Sequence, residues 1–241
     1  MSGHSKWSNI KHKKEKTDAQ KAKIFTKLGR EIAVAVKSGG ADPDVNGRLK
    51  DAIAKAKSNN MPNENIARCI KKASGEQNLD NFENIQYEGY GPNGVAVIVQ
   101  TLTDNRNRTA GDMRHYFDKF GGNLGTTGSV GWMFDRKGII IINRDDLDED
   151  TVMEDALECG ATDFNAEEEI FEISTDPDVV SKVRDALEEK GYSFVSAEAE
   201  MIPQTTVKLT DEKDILMMEK LIDAMEDNDD VQEIFHNWEE E

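Results

Sequence analysis

The chain has 241 residues, 37% of them hydrophobic and 32% charged, with a formal net charge of −18. That length suits one large domain or two to three small ones, no window has the apolar length of a membrane span, and two distant cysteines, Cys69 and Cys159, exclude a disulfide framework or a sulfur-rich zinc site. The basic start has no apolar run behind it, so it is not a secretion signal, and the expectation is a cytoplasmic protein with no membrane partner.

The charge is unevenly spread. Residues 1–75 hold 17 Lys+Arg and 7 Asp+Glu, whereas the other 166 residues hold 13 and 41. An acidic body repels a polyanion, so only the N-terminal third suits phosphates, and the rest suits solvent or a basic protein.

In chain order, residues 1–16 lack helical or strand periodicity and read as an extended arm carrying Lys6, Trp7, Lys11, His12, Lys13, Lys14 and Lys16. Thr17-Asp18-Ala19-Gln20 has capping-box form. Ile24, Phe25, Leu28, Ile32 and Val36 then fall on one helical stripe, with Lys21, Lys23, Lys27 and Arg30 mostly off it. Ser38-Gly39-Gly40 stops that helix. A second helix follows Asp42-Pro43-Asp44, with Leu49, Ile53 and Ala56 inward and Arg48, Lys50, Lys55 and Lys57 mostly outward. A third runs from near Asn63 to Gly75. Three short amphipathic helices close a small bundle.

Residues 75–83 read as a linker. Gln86–Tyr90 and Val95–Val99 flank Gly91-Pro92-Asn93-Gly94 as a hairpin. A helix with Met113, Tyr116, Phe117 and Phe120 follows, and GGNLGTTGSVG, residues 121–131, is too glycine-rich for a regular element. Residues 132–203 read as strand, helix, two strands, helix and strand, an order that predicts a ferredoxin-like unit. Thr205–Leu209 reads as a strand, Asp211 to about Met225 as a helix and Val231–Phe235 as a last strand. These elements and those of 84–120 are each too few for a domain, so together they are expected to form one discontinuous α/β unit interrupted by 132–203.

No catalytic constellation emerges, and the expectation is a non-enzyme without cofactor or metal. The histidines His4, His12, His115 and His236 lack ligand spacing. DDLDED at 145–150 lacks the glycine and glutamate of an EF-hand and reads as a solvated helix start. The glycines at 121–131 lack the lysine of a phosphate-binding P-loop. Thr103–Thr109 stands out as a loop between a buried strand and a helix, with Arg106 and Arg108 in it and Arg114 beyond. These arginines read equally as a second phosphate contact or as partners of local acids such as Asp104 or Asp112.

The segments MSGHSKWSNIKHKKEKTDAQKAKIFTKLGREI, SGGADPDVNGRLKDAIAKAKSNNMPNENI, LTDNRNRT and GGNLGTTGSVGWMF resemble the YebC/PmpR family, whose relatives include the mitochondrial translational activators. The resemblance covers nearly the whole chain. It implies an α+β protein: an N-terminal three-helix domain plus two ferredoxin-like α/β domains, the third inserted into the second. The boundaries fall at 1–78, at 79–131 with 204–241, and at 132–203. It also implies a nucleic-acid partner, contacted by the basic arm, the helix cations and the Asn105–Arg108 loop. Family members are labelled DNA-binding transcriptional regulators, while some act as ribosome-associated translation factors that bind rRNA or tRNA and relieve stalling at proline-rich sequences. The residues leave both readings open. A groove-reading helix is not evident, and an arm with one aromatic suits RNA.

Overall fold

A computed structural model describes residues 18–75 and 81–239. The expected arm, the capping threonine and most of the linker lie outside the described residues. Three helices come first: α1 (Asp18–Gly39), α2 (Gly47–Ser58) and α3 (Asn63–Gly75). Leu28, Ile32, Ala35, Leu49, Ala52, Ala56 and Ile66 bury a core that, among the described residues, draws only on the segment 24–73. Asn46 fixes the first corner. Its Oδ1 caps α2 by accepting from the Leu49 amide at 3.1 Å, and its Nδ2 donates to the Ala35 and Gly40 carbonyls, each at 2.8 Å.

The body holds two four-stranded sheets. The first has the order β3-β1-β2-β8, from β1 (Glu83–Tyr90), β2 (Ala96–Thr103), β3 (Asn123–Leu124) and β8 (Val231–His236), with α4 (Arg106–Lys119) and α7 (Glu212–Glu226) on one face. The second has the order β5-β6-β4-β7, all antiparallel. Its elements are β4 (Phe134–Asn143), α5 (Glu149–Cys159), β5 (Asp163–Ala166), β6 (Ile170–Thr175), α6 (Val180–Glu189) and β7 (Ser196–Pro203). The first sheet joins its central pair by a hairpin, and the second joins its central pair through α5 and β5. The first sheet also takes strands from both sides of the 134–203 segment.

The apolar runs follow from sheets covered on both faces. Val95, Val97 and Val99 face α4 and α7, while Ala96 and Ile98 face Val130, Phe134 and Phe235. Likewise Ile140 and Ile142 face α5 and α6, and Ile139 and Ile141 turn to the opposite side.

Two expectations are corrected. The glycine-rich stretch contains β3, whose two residues pair with Gly89 and Tyr90. Glycine is what permits this approach, because a Cβ on Gly89 would meet the Asn123 carbonyl at 2.6 Å. Thr205–Leu209 is not a strand. Among the described residues only Val207 bridges, to Trp238 beyond the end of β8, and Leu209 instead enters the core. Among the described residues no helix is long and apolar enough to cross a membrane, and no cluster of potential metal ligands occurs.

Candidate nucleic-acid interface

The bundle has an outward and an inward side, and its cations divide between them. On the inward side, α1 faces the turn between α7 and β8. Lys23 Nζ pairs with Asp227 at 2.7 Å, Lys27 donates to the Glu226 carbonyl at 2.7 Å, and Arg30 pairs with Asp230 at 3.0 Å. A second seam joins α2 to α6. Lys50 pairs with Asp185, and Arg184, whose side chain is 5% exposed, pairs with Asp51 at 2.9 Å and Asp185 at 2.8 Å.

Lys55 lies where the two seams meet, with its side chain 18% exposed. It pairs with Glu233 on β8 at 2.8 Å, Glu198 on β7 at 3.0 Å and Glu31 on α1 at 3.3 Å. Burial opposes its charge, but Glu198, Glu233 and Glu31 outweigh that and hold its pKa well above 10.5. Burial dominates at Glu31, whose pKa is raised despite Lys55. The sequence reading of Lys55 as an outward helix cation is thus corrected. Helical periodicity places it off the bundle's own stripe, and the face it occupies is met by β7 and β8.

On the outward side, Arg48 and Lys57 of α2 are exposed and make no ion pair among the described residues, and Lys21 is also exposed. Sequence reasoning missed α3, where Arg68, Lys71 and Lys72 are exposed at i, i+3 and i+4 and form one stripe. Their spacing was visible, and only the identity of the exposed face was lacking. Lys6, Trp7, Lys11, His12, Lys13, Lys14 and Lys16 lie outside the described residues.

The Asn105–Arg108 segment is the start of α4 rather than a loop. Asn105 caps the helix by accepting from the Arg108 amide at 3.1 Å. Arg106 pairs with Glu83 at 3.1 Å. Arg108 pairs with Asp104 and Asp230, each at 2.7 Å. Asp230, 3% exposed, also accepts from Thr109 and Thr103 and so binds α1, β2 and α4 together. Burial would raise its pKa, but Arg108 and Thr109 outweigh that and lower it. Arg114 is exposed and stands apart from this cluster.

A further arrangement gave no signal in the sequence. Glu88 is buried and accepts from the Val130 and Gly131 amides at 2.9 and 2.7 Å, which fixes the glycine-rich loop. That loop presents Trp132, 69% exposed, with its indole N–H on the Ser129 carbonyl.

Residues 5–76 match the model of the TACO1/YebC protein N-terminal domain, and residues 82–238 match that of the TACO1/YebC second and third domain. The chain belongs to the TACO1/YebC family. A "Probable transcriptional regulatory protein" of Acetivibrio thermocellus is 66% identical, with 99% of each chain covered. One of the same name from Caldicellulosiruptor saccharolyticus is 62% identical over the full length of both. The crystal structure of a conserved hypothetical protein from Aquifex aeolicus superposes with a TM-score of 0.81 at 46% identity, covering 93% of this chain and 92% of that one. This TACO1/YebC chain therefore shares both the sequence and the fold of its relatives along almost its whole length.

Proposed function

We propose that the protein is a non-enzymatic regulator of gene expression that binds nucleic acid, DNA in the first reading, with its basic arm and the outward faces of α2 and α3. The carrying observation is that Arg48, Lys57, Arg68 and Lys71 stand exposed without a carboxylate partner among the described residues, on a basic bundle, while the body is strongly acidic. Such a division orients a polyanion onto the bundle and turns the body to solvent or to a basic protein. The relatives' names support regulation of transcription. The working domains are 1–78, 79–131 with 204–241, and 132–203, and the working compartment is the cytoplasm.

A second reading, RNA on the ribosome, is favoured by Trp132. An exposed indole on a fixed loop suits an unpaired base and has no evident use on a duplex.

Fluorescence anisotropy against a DNA duplex and a single-stranded RNA, over a salt series, tests both. Arg68→Glu with Lys71→Glu is expected to lower the log–log salt slope by about two. Unchanged binding by this variant removes α3 from the interface. Trp132→Ala is expected to cost about 1–3 kcal/mol on RNA and nothing on DNA; equal effects on both, or none on either, remove the RNA reading.

A further inference from the structure

The inward side of the bundle has the chemistry of a phosphate site and is already filled. Lys23, Lys27 and Arg30 project from one side of α1, and the body meets them with three carboxylates, of Asp227, Asp229 and Asp230, and two carbonyls of the Glu226–Asp230 turn. The contacts that hold α1 to the turn are ion pairs and hydrogen bonds. Beside them a cleft of about 790 Å³ opens between α1, α2, β7, α7 and β8, lined by polar groups and by Ile24, Phe25, Ile202, Ile222 and Phe235. Inside it the Ser196 hydroxyl, on a residue 6% exposed, and the Gln232 amide have no hydrogen-bond partner among the described residues. An attachment built from partly exposed ion pairs around a cavity is weak, screened by salt and open to exchange. A chain of phosphates offers α1 the same anionic oxygens at higher charge density.

We propose that the Lys23–Lys27–Arg30 face of α1 is a second phosphate-binding surface, covered in the free protein by the acidic turn 226–230 and uncovered when the nucleic-acid backbone displaces that turn. This rests on the reading of the bundle as the nucleic-acid interface. It adds that the protein holds its own competitor. The turn then lowers affinity for short or weakly held nucleic acid, and only a ligand engaging both sides of the bundle gains the covered cations.

The test is DNA affinity of the full-length protein measured by anisotropy. Asp227 and Asp229 are exposed, so Asp227→Asn with Asp229→Asn is compatible with folding, which thermal melting checks. The control is Glu154→Gln with Glu219→Gln, which changes net charge equally at exposed positions away from the bundle. Removing the competitor is expected to tighten binding about three- to tenfold beyond the control, since each exposed pair is worth up to about 1 kcal/mol. A gain no greater than the control's overturns the masking. In parallel, Lys23→Gln with Lys27→Gln is expected to lower the salt slope by about two, against none for Lys213→Gln with Lys220→Gln. An unchanged slope means the face stays covered in the complex and also overturns the proposal. If the unsubstituted protein binds neither duplex nor single strand, the interface reading itself fails; if it binds and only these variants behave as controls, that reading survives and the masking does not.

Discussion

The bundle meets the body, and the two sheets meet each other, by opposite means. Between the sheets, Phe134 of β4 and Met201 of β7 pack with Ala96, Ile98, Val130 and Phe235 in one apolar cluster. Between bundle and body the partners are Lys55 with Glu198 and Glu233, Arg184 with Asp51, and α1 with the acidic turn. Apolar burial is insensitive to salt and pH and ties the two sheets into one cooperative unit. Ion pairs are screened, titrate and release. One molecule thus combines a seam that stays shut with one that responds to its surroundings.

Four experiments break or sharpen that contrast. The largest effect is expected from Phe235→Ala at the apolar seam, a loss of about 3–4 kcal/mol in denaturant unfolding that is independent of salt. Next comes His236, 9% exposed. Burial, opposed by a weaker hydrogen bond with the Trp238 backbone, depresses its pKa from 6.5 to about 4. A folded pKa below the unfolded one gives stability present above pH 6.5 and lost as pH falls towards 4, by an amount on the order of 3 kcal/mol. Unfolding titrations should show this loss, and His236→Gln should flatten it.

Lys55→Met leaves Glu31, Glu198 and Glu233 facing one another without a cation. The expected cost at neutral pH is about 2–3 kcal/mol. Part of it should return as the pH falls, because Glu31, whose pKa burial already raises, takes up a proton and relieves the repulsion. The smallest effect belongs to Lys23→Ala, whose side chain is 44% exposed. It should cost under about 1 kcal/mol and vanish in high salt, as read by melting temperature.

Sequence alone delivered most elements because each carries its own periodicity. The Val95–Val99 and Ile139–Ile142 runs are apolar on both pleats, and both pleats are buried. Gly160, at φ 105, ends α5 where glycine is required. What stayed hidden depends on contacts between distant elements. β3 is two residues long and exists because a neighbouring strand is bare of side chains at Gly89. Val207 has strand-like neighbours but only one rung to join. Lys55 follows the helical rule for an outward residue, yet the outward direction leads into two strands that lie more than a hundred residues further on. Arg106 and Arg108 read as loop residues because Asn105 serves as a cap, a role visible only once its side chain is seen on the Arg108 amide. The candidate site was legible as a sign of charge over a stretch of chain. Which cations are outward and which are engaged was not.

The bundle closes its own core with residues 24–73, whereas the acidic turn that covers α1 is made much later. At about 5–20 residues per second, a newly synthesised bundle waits on the order of ten to thirty seconds before residues 226–230 leave the ribosome. During that interval Lys23, Lys27 and Arg30 lack the 226–230 turn as a partner, in a setting crowded with ribosomal and messenger phosphates. On the proposed masking, the bundle is therefore most open to phosphates before the 226–230 turn is made, and the arrival of that turn is what quiets it.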